Sequence, residues 1–400
     1  MNRRQYLKFL IVYAVFSMAA NFAHPVTPTL IVERHLDSSM FGIALAAMFV
    51  MSFLFSPFWG KLCSYIPTKT IILIGGLGYC VGQVIFGAAV NEAMVVGGRM
   101  VAGAFSSGAW TAALNYVVNT SNPEERGQNL TVYATLQNVI SAVGYFVGGM
   151  LGLISVEFTF TVQVIMLAAG CILLFFVCID DTPFKHRPER SLTFADANPF
   201  RVFVEAKDFM NFNFVLIFAM VAIAAVGQNS FEQVFNYFIK DQFHLSSAYN
   251  GIFKAAIALC GFIANSTVCM WLVKKTDINK TYAWVMIAAT IPAGLILFFF
   301  GSIIPFAVCD ILFMTINIIR NPIQQNLCAE HASAENSNSV MGFFQAMNSL
   351  GGIFGAAFAG LIYDTNTHYP FILAFAAYLI TSVIALFYRA RYSRTEGKAA

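Results

Sequence analysis

The sequence predicts an all-α integral membrane fold, with twelve transmembrane helices in two pseudo-symmetric six-helix bundles and both termini in the cytoplasm. Three observations predict it. Of the 400 residues, 58% are hydrophobic and 11% charged, whereas a soluble globular chain carries roughly 25% charge. Apolar stretches long enough to cross ~30 Å of hydrocarbon occur twelve times, six on each side of one polar stretch. Basic residues, finally, partition unevenly between alternate connecting segments.

The first six stretches fall at about 8–31, 39–62, 70–90, 93–118, 128–152 and 157–179. The first follows MNRRQYLK and resembles a signal peptide. Its apolar run continues through His24 and Pro25 to Ile31, so it reads as an uncleaved first span with a helix irregularity at Pro25. The second and third flank the short loop 60–70, and the fourth carries Arg99. The fifth follows NPEERG (122–127) and holds glycines at 144, 148 and 149. After the sixth comes the long polar stretch Asp180 to Asn211, with DDTPFKHRPER.

The second six fall at about 213–239, 247–273, 280–300, 302–327, 337–362 and 369–388. The seventh carries Glu232, the eighth Lys254, and the tenth Asp310 and Arg320. The eleventh has glycines at 351, 352, 355 and 360, and the twelfth runs into a basic tail. Small residues at this spacing permit close helix packing. The expected organisation is a bundle over 1–179, a cytoplasmic linker over 180–212, and a second bundle over 213–400.

With a cytoplasmic N-terminus, basic residues divide eighteen to two between cytoplasmic and external segments, the sense of the positive-inside rule. An odd span count scrambles that partition. A repeat at a constant offset of 211 runs through the chain: Lys69-Thr70 aligns with Lys280-Thr281, Asn115 with Asn326, Gly144 with Gly355 and Gly149 with Gly360.

The net charge of +3 is too small to imply nucleic acid as a partner. The eight cysteines lack metal-like spacing and read as small buried hydrophobes. No phosphate loop, zinc spacing or nucleophile elbow occurs, so neither an enzyme nor an ATP-driven pump is expected, and no cofactor or metal.

HPVTPTLI (24–31) and FGIALAAMFVMSFLFSPFWGKL (41–62) resemble spans one and two of the major facilitator superfamily, nearest to its twelve-span drug:proton antiporters. In GKLCSYIPTKT (60–70), Gly60, Leu62 and Lys69 match the superfamily's loop motif, while Ser64, Pro67 and Thr68 stand at its Asp, Gly and Arg places. Arg99-Met-Val-Ala-Gly103 resembles the family's R-x-x-x-G motif. GYFVGG (144–149) stands where the antiporter motif has GPxxGG. SFEQVFNYF (230–238) resembles the exporter segment whose acidic residue is linked to proton coupling. The resemblance implies the major facilitator fold, two halves related by an axis along the membrane normal, with spans 1, 4, 7 and 10 lining a cavity. It implies a multi-pass plasma-membrane secondary transporter, monomeric in the bilayer, that exports a small organic molecule by proton-coupled alternating access, its partners being protons and that small-molecule substrate. Two alternatives stay open: an uptake symporter or facilitator for a polar metabolite, and a non-transporting sensor or scaffold.

Five ionisable residues lie inside spans, each costing roughly 2.5–3.5 kcal/mol on insertion scales. By helix rise, Arg99, Glu232, Lys254 and Asp310 sit about 9–12 Å from the external ends of their spans. Arg320 lies toward the cytoplasm. Offset 211 makes Asp310 the counterpart of Arg99 and Glu232 the counterpart of Asn21. Glu232 and Asp310 are the proton-coupling candidates; Arg99, Lys254, Gly60 and Lys69 the gating candidates. The competing reading pairs Asp310 with Arg99 or Lys254 to hold helices in register. Substrate-cavity candidates are Asn21, His24, Asn115, Tyr116, Gln228, Gln233, Asn236, Asn317 and Gln324, for which interhelical hydrogen bonds are the competing reading.

Overall fold

Without water to satisfy the backbone, a chain this apolar spans a bilayer as helices, and every regular element among the described residues is helical. The structure is a computed structural model that describes residues 3–37, 40–185, 200, 203–204, 206–243, 247–363 and 365–399. The helices are α1 (Arg3–Ala20), α2 (Ala23–Glu33), α3 (Met40–Tyr65), α4 (Thr68–Gly87), α5 (Glu92–Thr120), α6 (Pro123–Gly152) and α7 (Val156–Val177). They continue as α8 (Phe212–Asp241), α9 (Ser247–Ala264), α10 (Met270–Lys275), α11 (Ile278–Leu295), α12 (Ile303–His331), α13 (Ser337–Tyr363) and α14 (Tyr369–Ala399).

Two expected spans are interrupted. The first breaks at Asn21 and Phe22, one turn before Pro25. Proline has no N–H to offer the carbonyl four residues back, which is that of Asn21; His24 donates to it instead, at 3.4 Å. The eighth carries a π-helical turn, Asn265–Cys269, between α9 and α10.

Eleven stretches among the described residues are long and apolar enough to cross a membrane. Helix α5, the expected fourth span, has 29 residues, ample length, but is not apolar enough to be one of them. Its composition of Gly, Ala, Ser, Thr and Asn follows from its surroundings. Nineteen of its residues are buried, packed on α3 and α4. A Cβ on Gly103 would stand 2.2 Å from the Met48 carbonyl oxygen of α3. One on Gly82 would stand 2.4 Å from the Ala102 backbone nitrogen. A helix gripped this closely shows little of itself to lipid, so it gains from small residues rather than large apolar ones.

The chain forms two compact units. Unit 1 comprises Met1–Arg126, Leu136–Phe209 and Ala332–Ala346; unit 2 comprises Gly127–Thr135, Met210–His331 and Met347–Ala400. Each unit therefore holds a short segment from the other half of the sequence, the start of α13 in unit 1 and the early part of α6 in unit 2. In unit 1, α4 packs on α5 and α7, α3 on α5, and α1 on α7. In unit 2, α14 packs on α8 and α11, and α12 on α11 and α9.

Glycine contacts correct the repeat register. A Cβ on Gly144 of α6 would meet the Met18 carbonyl oxygen at 2.4 Å and Asn21 Cβ at 2.9 Å; one on Gly355 of α13 would meet the Val226 carbonyl oxygen at 2.6 Å and Asn229 Cβ at 2.8 Å. Asn21 and Asn229 each donate from Nδ2 to the carbonyl four residues back, at 2.8 Å. The counterpart of Asn21 is thus Asn229, at an offset of 208, rather than Glu232. At that offset Glu232 corresponds to His24.

Candidate functional site

Charged groups in unit 2 are paired selectively. Glu232 on α8 and Lys254 on α9 form a salt bridge of 2.9 Å, with side chains 42% and 36% exposed. Asp310 on α12 is fully buried, and neither carboxylate oxygen has a hydrogen-bond partner among the described residues. It lies within electrostatic reach of both Lys254 and Glu232. The lysine that could have neutralised Asp310 is therefore bonded to Glu232. An ionised carboxylate in such a place costs far more than the neutral acid.

Arg99 in unit 1 is buried. Its guanidinium carbon stands 3.9 Å from the centroid of the Phe86 ring, and Nη2 donates to Thr27 Oγ1 at 3.2 Å. Nη1 faces Met48 Sδ at 3.8 Å, and Nε has no partner among the described residues. The guanidinium is held by a ring face and a hydroxyl, and that ring, Phe86, belongs to an apolar cluster with Ala23, Val26 and Val95.

Arg320 organises another polar cluster of unit 2, and sequence reasoning gave it no role. Its Nε donates to Asn317 Oδ1 at 2.8 Å, Nη1 to Gln324 Oε1 at 2.7 Å and Nη2 to Gln228 Oε1 at 2.6 Å. Gln324 Nε2 donates onward to the Tyr282 hydroxyl at 2.7 Å, and the Tyr378 hydroxyl donates to Asn317 Oδ1. Three cavity candidates, Gln228, Asn317 and Gln324, thus converge on one guanidinium held by neutral oxygens. The signal was present: Asn317 and Gln324 lie three before and four after Arg320, where helix side chains meet. Tyr282→Phe removes one acceptor and leaves the Gln324 amide unmet; the purified protein should lose about 1–2 kcal/mol of stability, read by thermal unfolding in detergent.

The remaining candidates are placed as follows. Asn21 bonds Ser141 Oγ at 3.1 Å besides the Ser17 carbonyl, and the His24 ring stacks on Tyr145 with centroids 5.5 Å apart. Asn115, Tyr116, Asn317 and Gln324, expected to line a cavity, are each no more than 2% exposed. The Tyr116 hydroxyl accepts the Ile179 N–H at 3.2 Å. Asn115 Nδ2 donates to the Asn338 carbonyl at 3.3 Å. Gly60 is pressed on α13, where a Cβ would stand 2.7 Å from the Asn338 carbonyl oxygen. Lys69 Nζ lies 5.6 Å over the Phe175 ring. The side chains of Gln233 and Asn236 lie outside the described residues.

One further cluster came from the stretch read as linker. Asp181, fully buried, accepts the Thr68 N–H at 2.9 Å and Asn119 Nδ2 at 2.8 Å. Lys185 Nζ lies 3.6 Å from its carboxylate and donates to the Cys63 and Ile66 carbonyls, each at 2.6 Å. The neighbouring Asp180 is held below the usual carboxylate range by hydrogen bonds from Thr182. Burial pushes the nearby Cys178 thiol up to about 12. The other seven cysteines are also free thiols, and of all eight only Cys260 is partly exposed.

Comparison with known proteins agrees with this architecture. The family model described as Major Facilitator Superfamily matches residues 9–344 and 319–400. Multidrug resistance protein 2 of Bacillus subtilis (strain 168) is 22% identical over 355 residues, covering 88% of this chain and 86% of the relative. Quinolone resistance protein NorA of Staphylococcus aureus (strain MSSA476) is 20% identical over 389 residues, covering 96% of each. Among solved structures, the human organic anion transporter MFSD10 (TETRAN) superposes with a TM-score of 0.80 at 14% identity, over 96% of this chain and 99% of that one. The E. coli fucose:proton symporter gives 0.73 at 14% identity, over 96% and 98%. These likenesses show the fold, and the family match places the chain among membrane transporters rather than enzymes. The chain belongs to the Major Facilitator Superfamily.

Proposed function

We propose that this multi-pass membrane transporter is a proton-coupled exporter of small amphipathic organic molecules, working by alternating access of residues 1–179 against 213–400. In this reading α5, the fourth span in chain order and enclosed by its neighbours, brings the count of spans to twelve. The eighteen-to-two division of basic residues supports cytoplasmic termini, and in this reading the protein works as a monomer in the plasma membrane. The export direction is supported by relatives named for multidrug and quinolone resistance.

The observation that carries the proton coupling is Asp310, a buried carboxyl with no hydrogen-bond partner among the described residues, beside the half-exposed Glu232–Lys254 pair. A proton taken by Glu232 weakens its hold on Lys254, and a proton lost from Asp310 puts an anion within reach of that lysine. The two acids and the lysine thus form one charge set whose total changes with each proton. A conformation that suits one total disfavours the other, and that difference couples protonation to the transport equilibrium.

The test is ethidium efflux from cells expressing the chain. The unsubstituted protein should lower dye accumulation, and a protonophore should abolish the effect. Glu232→Gln should cut gradient-driven efflux by at least about tenfold, or ~1.4 kcal/mol of barrier. Undiminished proton-driven movement in that variant removes Glu232 from the mechanism. A rise in accumulation on expression points to uptake instead, and no change points to a sensor.

A further inference from the structure

Two hydrogen bonds in different units are copies of each other. In unit 1, Asn115 Nδ2 of α5 donates to the Asn338 carbonyl in the first turn of α13, at 3.3 Å. In unit 2, Asn326 Nδ2 of α12 donates to the Gly127 carbonyl near the start of α6, also at 3.3 Å. Both donors and both acceptors stand 211 residues apart, the offset of the internal repeat. The segment that α6 places in unit 2, Gly127–Thr135, maps at this offset onto 338–346, which lies in the segment Ala332–Ala346 that α13 places in unit 1. Each asparagine therefore reaches a helix start contributed by the opposite half of the sequence.

Both bonds are sheltered. Asn115 and Asn326 are 0% and 3% exposed, and Asn326 Nδ2 also donates to the Pro322 carbonyl of its own helix at 2.9 Å. Around the first, Asn338 Nδ2 donates to Ser64 Oγ at 3.4 Å, and a Cβ on Gly342 would stand 2.7 Å from the Ser56 carbonyl oxygen. Ser64 occupies the place where the family loop motif has its aspartate. The contact to the start of α13 is thus made by neutral amides and a hydroxyl, with two glycines letting the backbones touch. Around the second, a Cβ on Gly127 would meet Val273 Cγ1 at 2.8 Å.

We infer that Asn115 and Asn326 are paired positioning residues of the transport cycle. Each clamps the helix start exchanged into its unit, so that the two hydrogen bonds together weight the conformation closed on the cytoplasmic side. This inference rests on the alternating access proposed above: opening that side withdraws 338–346 from unit 1 and Gly127–Thr135 from unit 2, and breaks both bonds in one step. A hydrogen bond to a sheltered carbonyl carries a net worth of order 1 kcal/mol, so each clamp shifts the open population by only several-fold. It trims an equilibrium that substrate and protons can still move.

The test uses cysteines already in the chain. Cys63 in unit 1 lies against Asn115, and Cys269 in unit 2 lies against Thr131 of the exchanged segment; both are 0% exposed. In inside-out membrane vesicles holding the full chain, N-ethylmaleimide labelling is read cysteine by cysteine by mass spectrometry. Asn326→Ala should speed labelling of Cys63, and Asn115→Ala should speed labelling of Cys269, each by about threefold to tenfold. In both cases the reporter lies in the unit that was not altered, so a merely local structural role moves neither. Cys171, also 0% exposed, should stay protected; if it labels, the variant has unfolded and the serine substitutions at 115 and 326 are read instead. Rates at Cys63 and Cys269 within about twofold of the parent, the error expected of independent sites, overturn the clamp. If ethidium changes the parent's Cys63 rate while the variants behave as parent, the clamp fails and alternating access stands. If neither dye nor substitution changes any rate, both fail.

Discussion

Asp310→Asn should abolish gradient-driven dye efflux, by on the order of 100-fold or ~2.7 kcal/mol, while leaving the protein as stable as its parent to within ~1 kcal/mol. The two readouts together separate the roles that a carboxyl in a membrane helix can play. If Asp310 served to neutralise a neighbouring cation, its loss would strand a buried charge and cost ~3–5 kcal/mol, and thermal unfolding in detergent would report the fall. The structure argues for the other case, because the carboxylate oxygens have no hydrogen-bond partner among the described residues and Lys254 is bonded to Glu232. A neutral amide of the same shape replaces a neutral acid at little cost. What it cannot do is lose a proton. An efflux rate near the parent's with unchanged stability would remove Asp310 from the coupling and leave Glu232 to carry it.

The fold was legible where the bilayer dictates it. Helical spans follow from the absence of water in the hydrocarbon, and a pattern of apolar length records that directly. The repeat was legible only in part. Between Asn21 and Asn115 the chain advances 94 residues, but between Asn229 and Asn326 it advances 97. A single offset cannot follow a three-residue difference, so Glu232 was matched to Asn21 rather than His24. The candidate site was legible as a set of residue types but not as a set of pairs. Asn115 was visible as one member of the repeat, yet its partner carbonyl belongs to a residue 223 positions away. Arg320 was the exception, since two of its three partners share its helix at the spacing that brings side chains together.

Asp181→Ala is expected to be the most damaging single change to stability, costing about 3–5 kcal/mol and lowering the melting temperature in detergent by ~10 °C. Three groups depend on this one fully buried carboxylate: the Thr68 N–H that opens α4, the Asn119 amide near the end of α5, and the Lys185 ammonium. Lys185 in turn holds the Cys63 and Ile66 carbonyls at the end of α3. Truncation leaves an ammonium with a fully buried side chain facing backbone carbonyls alone. Those dipoles orient it but do not cancel its charge, and leaving it without a counter-charge costs more than any single hydrogen bond. Asp181→Asn keeps an acceptor and loses the charge, so it should fall between alanine and parent. The double variant Asp181→Ala with Lys185→Met should recover part of the loss, because it removes the stranded cation along with its partner. That recovery, read as the coupling term of a double-mutant cycle, distinguishes a charge pair from a helix cap. A cap would cost ~1 kcal/mol whether or not the lysine were present. Full stability in Asp181→Ala would mean that the ends of α3, α4 and α5 are held by their apolar packing alone.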